Sequence, residues 1–397
     1  MKDTGLFPLP SAELLDGLAR LPRALSAAFP LKTKHRSALP GGISRLSDYL
    51  TIDRENLPRD YMSRPEFLAA YLHYYLPWNI YRQGRLLAGL DLVLKPGAHI
   101  VDLGSGPLTF LHALWLSRPG MRQQELDYLA IDRSESALKV GRKLFDTWAE
   151  QTSWKIQTDN QPAGRKKFRP ADLLVMANFI NEVDRGPRSG RGSRSGDKDV
   201  DSSAIQMLER WEGQVADSGA ILLIEPGVRD SGRALSRIRQ AALERGWRVP
   251  APCPHAEDCP MPGQRNTPWC HFTFPTGDSP AWLSRLSHKA KLPKDRASLS
   301  FMLLTRGEDP PVRIRPPKSP GKGCSVVRVV SEGFDLPSGK RGRYGCSERG
   351  LVLLENRRGG SAPVPGDQVT VKWPDADRRD PKSGALAIPL AGGRDRR

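Results

Sequence analysis

Cysteine is scarce. The chain has five cysteines in 397 residues and none before position 253. Long apolar runs are missing too: no stretch of 18 or more apolar residues occurs, so the sequence predicts no membrane span. The opening MKDTGLFPLPSAELLDGL has no cationic start and apolar core of a secretory signal, and its early acids do not suit an Arg-rich transit peptide. There is no internal repeat. The expected compartment is the cytosol (cytoplasmic), where thiols stay reduced and clustered cysteines point to metal rather than to a disulfide. Acidic residues are also in short supply, 44 against 61 Lys and Arg, which leaves a formal charge of +17.

That excess of positive charge suits a polyanionic partner, since basic side chains displace condensed counterions from a phosphate backbone. It is spread along the chain, in LKTKHR (31–36), GRKKFR (164–169), HKAKLPKDR (288–296), RIRPPK and KRGR. A dispersed basic surface fits a folded, extended partner such as ribosomal RNA better than a single groove does. No strongly basic amphipathic helix stands out to favour a membrane surface. The length allows two domains, or one large domain with an appendage.

The predicted organisation starts with a helical N-terminal region, residues 1–94. In it SAELLDGLARLPRALSAAF (11–29) is interrupted at Pro22, and 65–94 is broken around Pro77. Tyr71, Tyr74 and Tyr75 form an aromatic stripe expected to pack in the core. From 95 to 310 strands alternate with helices: AHIVDLG (98–104), LDYLAID (126–132), DLLVMAN (172–178), GAILLIEPG (219–227) and FMLLTRG (301–307) read as strands. The fold class expected is α/β, a doubly wound, mostly parallel, Rossmann-like sheet. Residues 184–203, DRGPRSGRGSRSGDKDVDSS, are expected to be a disordered insertion. A small β module is predicted at 311–373 and a flexible basic tail at 374–397.

HIVDLGSGPLTF (99–110) is a strand, a glycine loop and a helix start. Close glycines let the backbone approach a ligand, and the helix N-terminus offers free amides. Asp132, at the end of the next strand, can accept hydrogen bonds from both hydroxyls of a ribose. This combination resembles the first two motifs of the S-adenosylmethionine-dependent methyltransferases rather than a dinucleotide fingerprint, because GSGPLT lacks a third glycine. The candidate cofactor-binding residues are Asp102, Gly104, Ser105, Gly106, Asp132 and Asn178. The resemblance implies that Gly104 and Gly106 line the methionine moiety and Asp132 the ribose. No catalytic residue can be named: ANFINEV, with Asn178, Asn181 and Glu182, has no proline pair after the strand, and no cysteine nucleophile stands there.

The sequence APCPHAEDCPMPGQRNTPWCHF (251–272) concentrates Cys253, Cys259 and Cys270 among five prolines. Prolines restrict the loop and remove amide donors, which suits backbone wrapped around a fixed object. Zinc could take three cysteines with His255 or His271, a [4Fe–4S] cluster would take four thiolates, and unligated buried thiols are the third reading. Zinc fingers and ribbons pair cysteines two to four apart, and neither gap here fits; looser spacing with a distant fourth cysteine is commoner for a cluster. Cys324 or Cys346 could close the set.

Pro252-Cys253-Pro254-His255, Cys259-Pro260 and Trp269-Cys270-His271-Phe272, following ANFINEV and IEPG, resemble the ribosomal small-subunit assembly family of the Rsm-twenty-two type, which includes the mitochondrial methyltransferase-like protein seventeen and bacterial relatives. The likeness spans roughly residues 30 to 350. It implies a factor that binds the small ribosomal subunit during maturation, contacts its rRNA and carries a four-cysteine [4Fe–4S] cluster; ribosomal proteins are expected as further partners, and the chain is expected to be a monomer off the ribosome. Cys253, Cys259 and Cys270 match cluster ligands. Cys346 is preferred as the fourth, because RYGCSERGLVLL is a Gly-bounded turn into a strand. Cys324 stays open, and His255 and His271 are expected to donate to cluster sulfurs. The alternative is an active S-adenosylmethionine-dependent rRNA methyltransferase. A radical enzyme is disfavoured by the absence of CxxxCxxC.

Overall fold

The computed structural model of the chain describes residues 5–390, apart from 54–55, 59, 150, 165–166, 181–204, 314–320, 338 and 359–361. The insertion expected at 184–203, together with Asn181 and Glu182, lies outside the described residues.

Helix α1 (Ala12–Ala28) starts at Ser11, whose hydroxyl accepts a hydrogen bond from the Leu14 amide. The sequence predicts an interruption at Pro22, yet the helix runs through it. Proline cannot donate to the carbonyl four residues back; here the indole N–H of Trp282 donates to that Leu18 carbonyl at 3.0 Å, so nothing is left unsatisfied. Helices α2 (Thr33–Thr51) and α3 (Pro65–Ala70) follow. A π-helical turn, Tyr71–Tyr75, then leads into α4 (Leu76–Gly89). The break expected near Pro77 is this turn: the Leu76 amide reaches back to the Tyr71 carbonyl just ahead of the proline. A two-residue strand β1 (Asp91–Leu92) ends the region.

The main sheet is built from β2 (Ala98–Leu103), β3 (Leu126–Asp132), β4 (Trp154–Asn160), β5 (Ala171–Ala177), β6 (Val215–Pro226), β7 (Arg248–Ala251), β8 (Phe272–Pro275) and β9 (Arg296–Thr305). Between them lie α5 (Thr109–Ser117), α6 (Glu135–Asp146), α7 (Arg229–Glu244) and α8 (Ala281–Lys289). The strand order is β4-β3-β2-β5-β6-β9-β7, with β8 also on β9. Strands β4 to β6 are parallel and β9 is antiparallel to β6, so the sheet is mixed and Rossmann-like. Alternation along each strand feeds two cores. Ile100, Leu173 and Leu222 pack with the N-terminal helices, and Val101, Leu174 and Ile221 pack with Ile238 of α7.

Strands β7 and β8 share one edge of β9. Ala251 pairs with Leu303 and Phe272 with Leu299, so residues 252–271 leave the sheet and return four β9 positions away. The cysteine loop is a detour within one edge lane.

A short strand β10 (Val312–Arg313) pairs with β1. Beyond it, β11 (Cys324–Val329), β12 (Phe334–Asp335), β13 (Arg341–Ser347), β14 (Gly350–Asn356), β15 (Gln368–Lys372) and β16 (Leu386–Pro389) form a second sheet, with order β15-β11-β13-β14-β16 and β12 against β13. It has its own core of Val327, Val329, Val352, Leu354, Val371, Leu386 and Ile388. Residues 374–390 were expected in a flexible tail. Instead β16 runs parallel to β14, because Leu386 and Ile388 complete that core.

Candidate functional site

Two cavities hold the residues singled out by the sequence. The first lies at the C-terminal ends of β2, β3 and β5, around the glycine loop. Gly104 (φ +69°) and Gly106 (φ +53°) are both left-handed. A Cβ on Gly104 would fall 2.6 Å from the Phe179 ring, so only glycine fits. Leu108, two residues beyond Gly106, is left-handed as well (φ +59°) and completely buried.

The loop's amides are used internally. Gly104 N and Ser105 N donate to the Ile131 carbonyl at 2.8 and 3.2 Å. Gly106 N donates to Asp132 Oδ2 at 2.9 Å, and Ser134 N to Asp132 Oδ1 at 2.7 Å. Asp132 therefore shapes the loop while each oxygen keeps a further lone pair for a ligand. Its carboxyl is pushed up by burial, with the two amides pulling back.

About 300 Å³ of free space opens beside it, at the lower end of the size range of small-molecule sites. Gly104, Gly106, Asp132 and Asn178 line this space; Asp102 and Ser105, expected with them, do not. Asp102 lies beneath the loop, where the Tyr128 hydroxyl donates to its Oδ2 at 2.8 Å while Oδ1 is buried without a partner. Burial, helped by the charge of Asp132, raises its pKa to about 7. Ser105 Oγ is likewise buried and unpartnered. The other wall comes from the N-terminal region through Tyr61, Met62, Ser63 and Tyr71. The sequence reading placed Tyr71 in the core, and the π turn that swings it to the cavity has no sequence signal beyond the nearby Pro77.

Asn178 adopts a left-handed conformation (φ +58°) and its amide donates to the Ile224 carbonyl at 2.7 Å. Two residues on, Ile180 N donates to Oε1 of fully buried Glu225 at 2.8 Å. Glu225 is the acid of IEPG, a motif used only for the family likeness.

The second cavity, with only about 30 Å³ of free space, is lined by Cys253, Cys259 and Cys270 from the loop and by Cys346 from β13. Cys324, at the start of β11, does not line it. Burial raises the Cys270 and Cys346 thiols well above their usual range, and the neighbouring sulfurs add to the effect. The Cys253 thiol is raised by burial too, with Arg239 acting against it. Among the described residues, no group of three or more His, Cys, Asp or Glu side chains is arranged to hold a metal ion.

Two buried arginines border the sulfurs, and the sequence reading missed both. Arg239 of α7 donates from Nε to Cys253 Sγ at 3.2 Å and from Nη2 to the carbonyls of His255 and Glu257 at 3.0 and 2.6 Å. Arg328 of β11 lies opposite Cys346 in the ladder; its Nε donates to the Pro252 carbonyl at 2.9 Å and its Nη1 to the Gly366 carbonyl at 2.6 Å. One nitrogen of each arginine, Arg239 Nη1 and Arg328 Nη2, is buried without a partner. A lone arginine inside SVVRVV and another among the apolar positions of α7 were the available signals. His255 Nε2 stands 3.2 Å from Cys346 Sγ, and burial lowers its pKa to about 4. His271 stacks on Trp269, which lies under the Arg229 guanidinium and donates from Nε1 to the Gly227 carbonyl at 3.2 Å.

Among curated proteins, none matches this chain by sequence. Solved structures do. A Listeria monocytogenes protein described as a class I S-adenosylmethionine-dependent methyltransferase is 11% identical, with 77% of this chain and 90% of that one covered at a TM-score of 0.35. A methyltransferase from Geobacter sulfurreducens, in complex with S-adenosyl-L-homocysteine, is 12% identical over 63% of this chain and 99% of that one, at 0.32. Magnesium protoporphyrin IX methyltransferase from Synechocystis, with bound S-adenosylmethionine, is 10% identical over 67% and 97%, also at 0.32. The profile of the family described as mitochondrial small ribosomal subunit Rsm22 matches residues 94–331, well over half of the chain and inclusive of the glycine loop and three of the cavity cysteines, and the chain belongs to that family.

Proposed function

We propose that the protein is an assembly factor of the small ribosomal subunit that grips rRNA through its basic surface, with a methyltransferase-like domain and a [4Fe–4S] cluster held by Cys253, Cys259, Cys270 and Cys346. The observation that carries this reading is the convergence of four thiols from two remote parts of the chain on one buried cavity. A single zinc ion needs thiolates drawn to about 2.3 Å from one centre. Four thiolates from separated segments suit a cluster, which is larger than one ion and accepts ligands that stand further apart. The unpartnered nitrogens of Arg239 and Arg328 suit a negatively charged occupant. When bound, such a cluster would supply cross-linking and redox poise. The protein's own part is to exclude water, to present the thiols and to offset their charge with buried guanidinium groups.

The affinity for rRNA rests on the excess of basic residues, and the partners we propose are small-subunit rRNA and ribosomal proteins. Among the described residues, no helix is long and apolar enough to cross a membrane. We keep the cytosol as the proposed compartment because clustered reduced thiols suit it. Anaerobic purification with iron and sulfide analysis tests the centre: about four irons per chain are expected from the cluster stoichiometry. A colourless protein with one zinc would overturn the assignment.

A second reading, an active S-adenosylmethionine-dependent rRNA methyltransferase, is favoured by the cavity that Gly104, Gly106, Asp132 and Asn178 line. S-adenosylmethionine would sit there, with Asp132 free to accept from its ribose. This reading requires calorimetric affinity that Asp132→Ala abolishes and transfer of labelled methyl to rRNA in precursor subunits. Binding without transfer leaves the assembly role alone.

A further inference from the structure

A buried carboxylate lies between residues that hold the two cavities. Glu225 sits near the end of β6 and is fully buried; its Oε1 accepts from Ile180 N at 2.8 Å. That bond fixes the segment 178–180, whose first residue lines the glycine-loop pocket in a left-handed conformation. Directly opposite Glu225 in the β6–β9 ladder is Ser300, which is 1% exposed. Paired residues of neighbouring strands project from the same face. Ser300 Oγ donates to the Cys270 carbonyl at 2.8 Å. One step of the ladder thus separates the group that holds the pocket wall from the group that holds a cavity cysteine. The Arg82 guanidinium, which donates to the Ser298 carbonyl at 2.7 Å, attracts the Glu225 charge.

We propose that Glu225 is a positioning residue for the glycine-loop pocket and that, through its ladder partner Ser300, it couples order in the cysteine loop to the 178–180 wall. The inference rests on the nucleoside reading of that pocket for its ligand, but not for the anchor itself. Within a sheet, displacing Cys270 frees the Ser300 hydroxyl and loosens β9 next to Glu225. The carboxylate then holds Ile180 less firmly, and a wall that must be ordered to meet a ligand costs more to order.

The test is hydrogen exchange over 176–180 and 253–271 in the full chain and in Glu225→Ala, Glu225→Gln and Ser300→Ala, with calorimetry using S-adenosylhomocysteine alongside. Glu225→Ala is expected to speed exchange at Ile180 and to weaken S-adenosylhomocysteine by about tenfold, the worth of one buried hydrogen bond to a charged acceptor. Glu225→Gln, whose amide oxygen can still accept from Ile180, should restore most of both, which a general loss of stability would not do. Ser300→Ala should raise exchange in the cysteine loop and at 178–180 together. Unchanged exchange at Ile180 in Glu225→Ala overturns the anchor. Loosening confined to 253–271 in Ser300→Ala overturns the coupling. If the parent protein binds no S-adenosylhomocysteine while the exchange pattern holds, the nucleoside reading fails and the anchor stands.

Discussion

Gly141→Ala pits two opposite effects against each other at one atom. Gly141 lies in α6, where alanine favours the helix by about 1 kcal/mol. Its added Cβ, however, would lie 2.4 Å from the carbonyl carbon of Pro107, 2.5 Å from its oxygen and 2.8 Å from its Cα. All three are backbone atoms of the turn that follows Gly106, so no side chain can swing aside. Ordinary contact begins near 3.4 Å, so helix and loop must separate by about 1 Å. Overpacking of this kind costs about 1–3 kcal/mol, and more where backbone must yield. With backbone forced to yield, the cost sits at the upper end, about 2–3 kcal/mol, so the expected net loss is about 1–2 kcal/mol despite the better helix former. The shift also pulls Gly106 N away from Asp132, so affinity for S-adenosylhomocysteine should fall roughly tenfold. Urea unfolding at constant m reads the first effect and calorimetry the second. Gly120→Ala is the control, because a Cβ there meets nothing within 4 Å. A Gly141→Ala protein as stable as its parent would refute the close approach of α6 to the loop.

Three further outcomes follow from the same geometry. Asp102 has its pKa raised from 3.8 to about 7, so the folded state keeps a proton that the unfolded chain releases in that window, and stability falls as pH rises through it. Asp102→Asn removes this fall and should be the more stable protein at pH 8, by on the order of 1 kcal/mol or more, in urea midpoints compared at pH 5 and pH 8. Arg328→Ala removes donors to the Pro252 and Gly366 carbonyls, although the Leu6 amide still reaches Gly366 O at 3.2 Å. A loss of about 3 kcal/mol is expected, with hydrogen exchange rising in β11 and β15 before the main sheet. Cys346→Ser should lose most bound iron and sulfide while Cys324→Ser keeps them, and the reverse pattern would transfer the fourth position to Cys324.

The sheet was the most legible part. LDYLAID gave β3 its full extent because a buried parallel strand is apolar on both faces. Strand β4, WKIQTDN, went unread because it is a polar edge strand with only Trp154 well buried. Pro22 misled the reading of α1 because the group that replaces its missing hydrogen bond, Trp282, lies far along the chain. At the glycine loop the sequence identified the right turn but not which side chains face outward: Asp102 and Ser105 point under it. Cys346 was singled out from a turn of RYGCSERG, but the strand that contains it, and Arg328 opposite, depend on pairing that no local pattern reveals.

The detour between β7 and β8 also matters for solubility. Opposite it, Ser300, Phe301 and Met302 of β9 are at most 5% exposed, and the excursion of residues 252–271 is what stands over that stretch of edge. A bare edge in the middle of a sheet invites pairing with a second chain. Whatever keeps the excursion folded therefore also acts as a guard against self-association, and its collapse would announce itself as turbidity before any loss of the strands behind it.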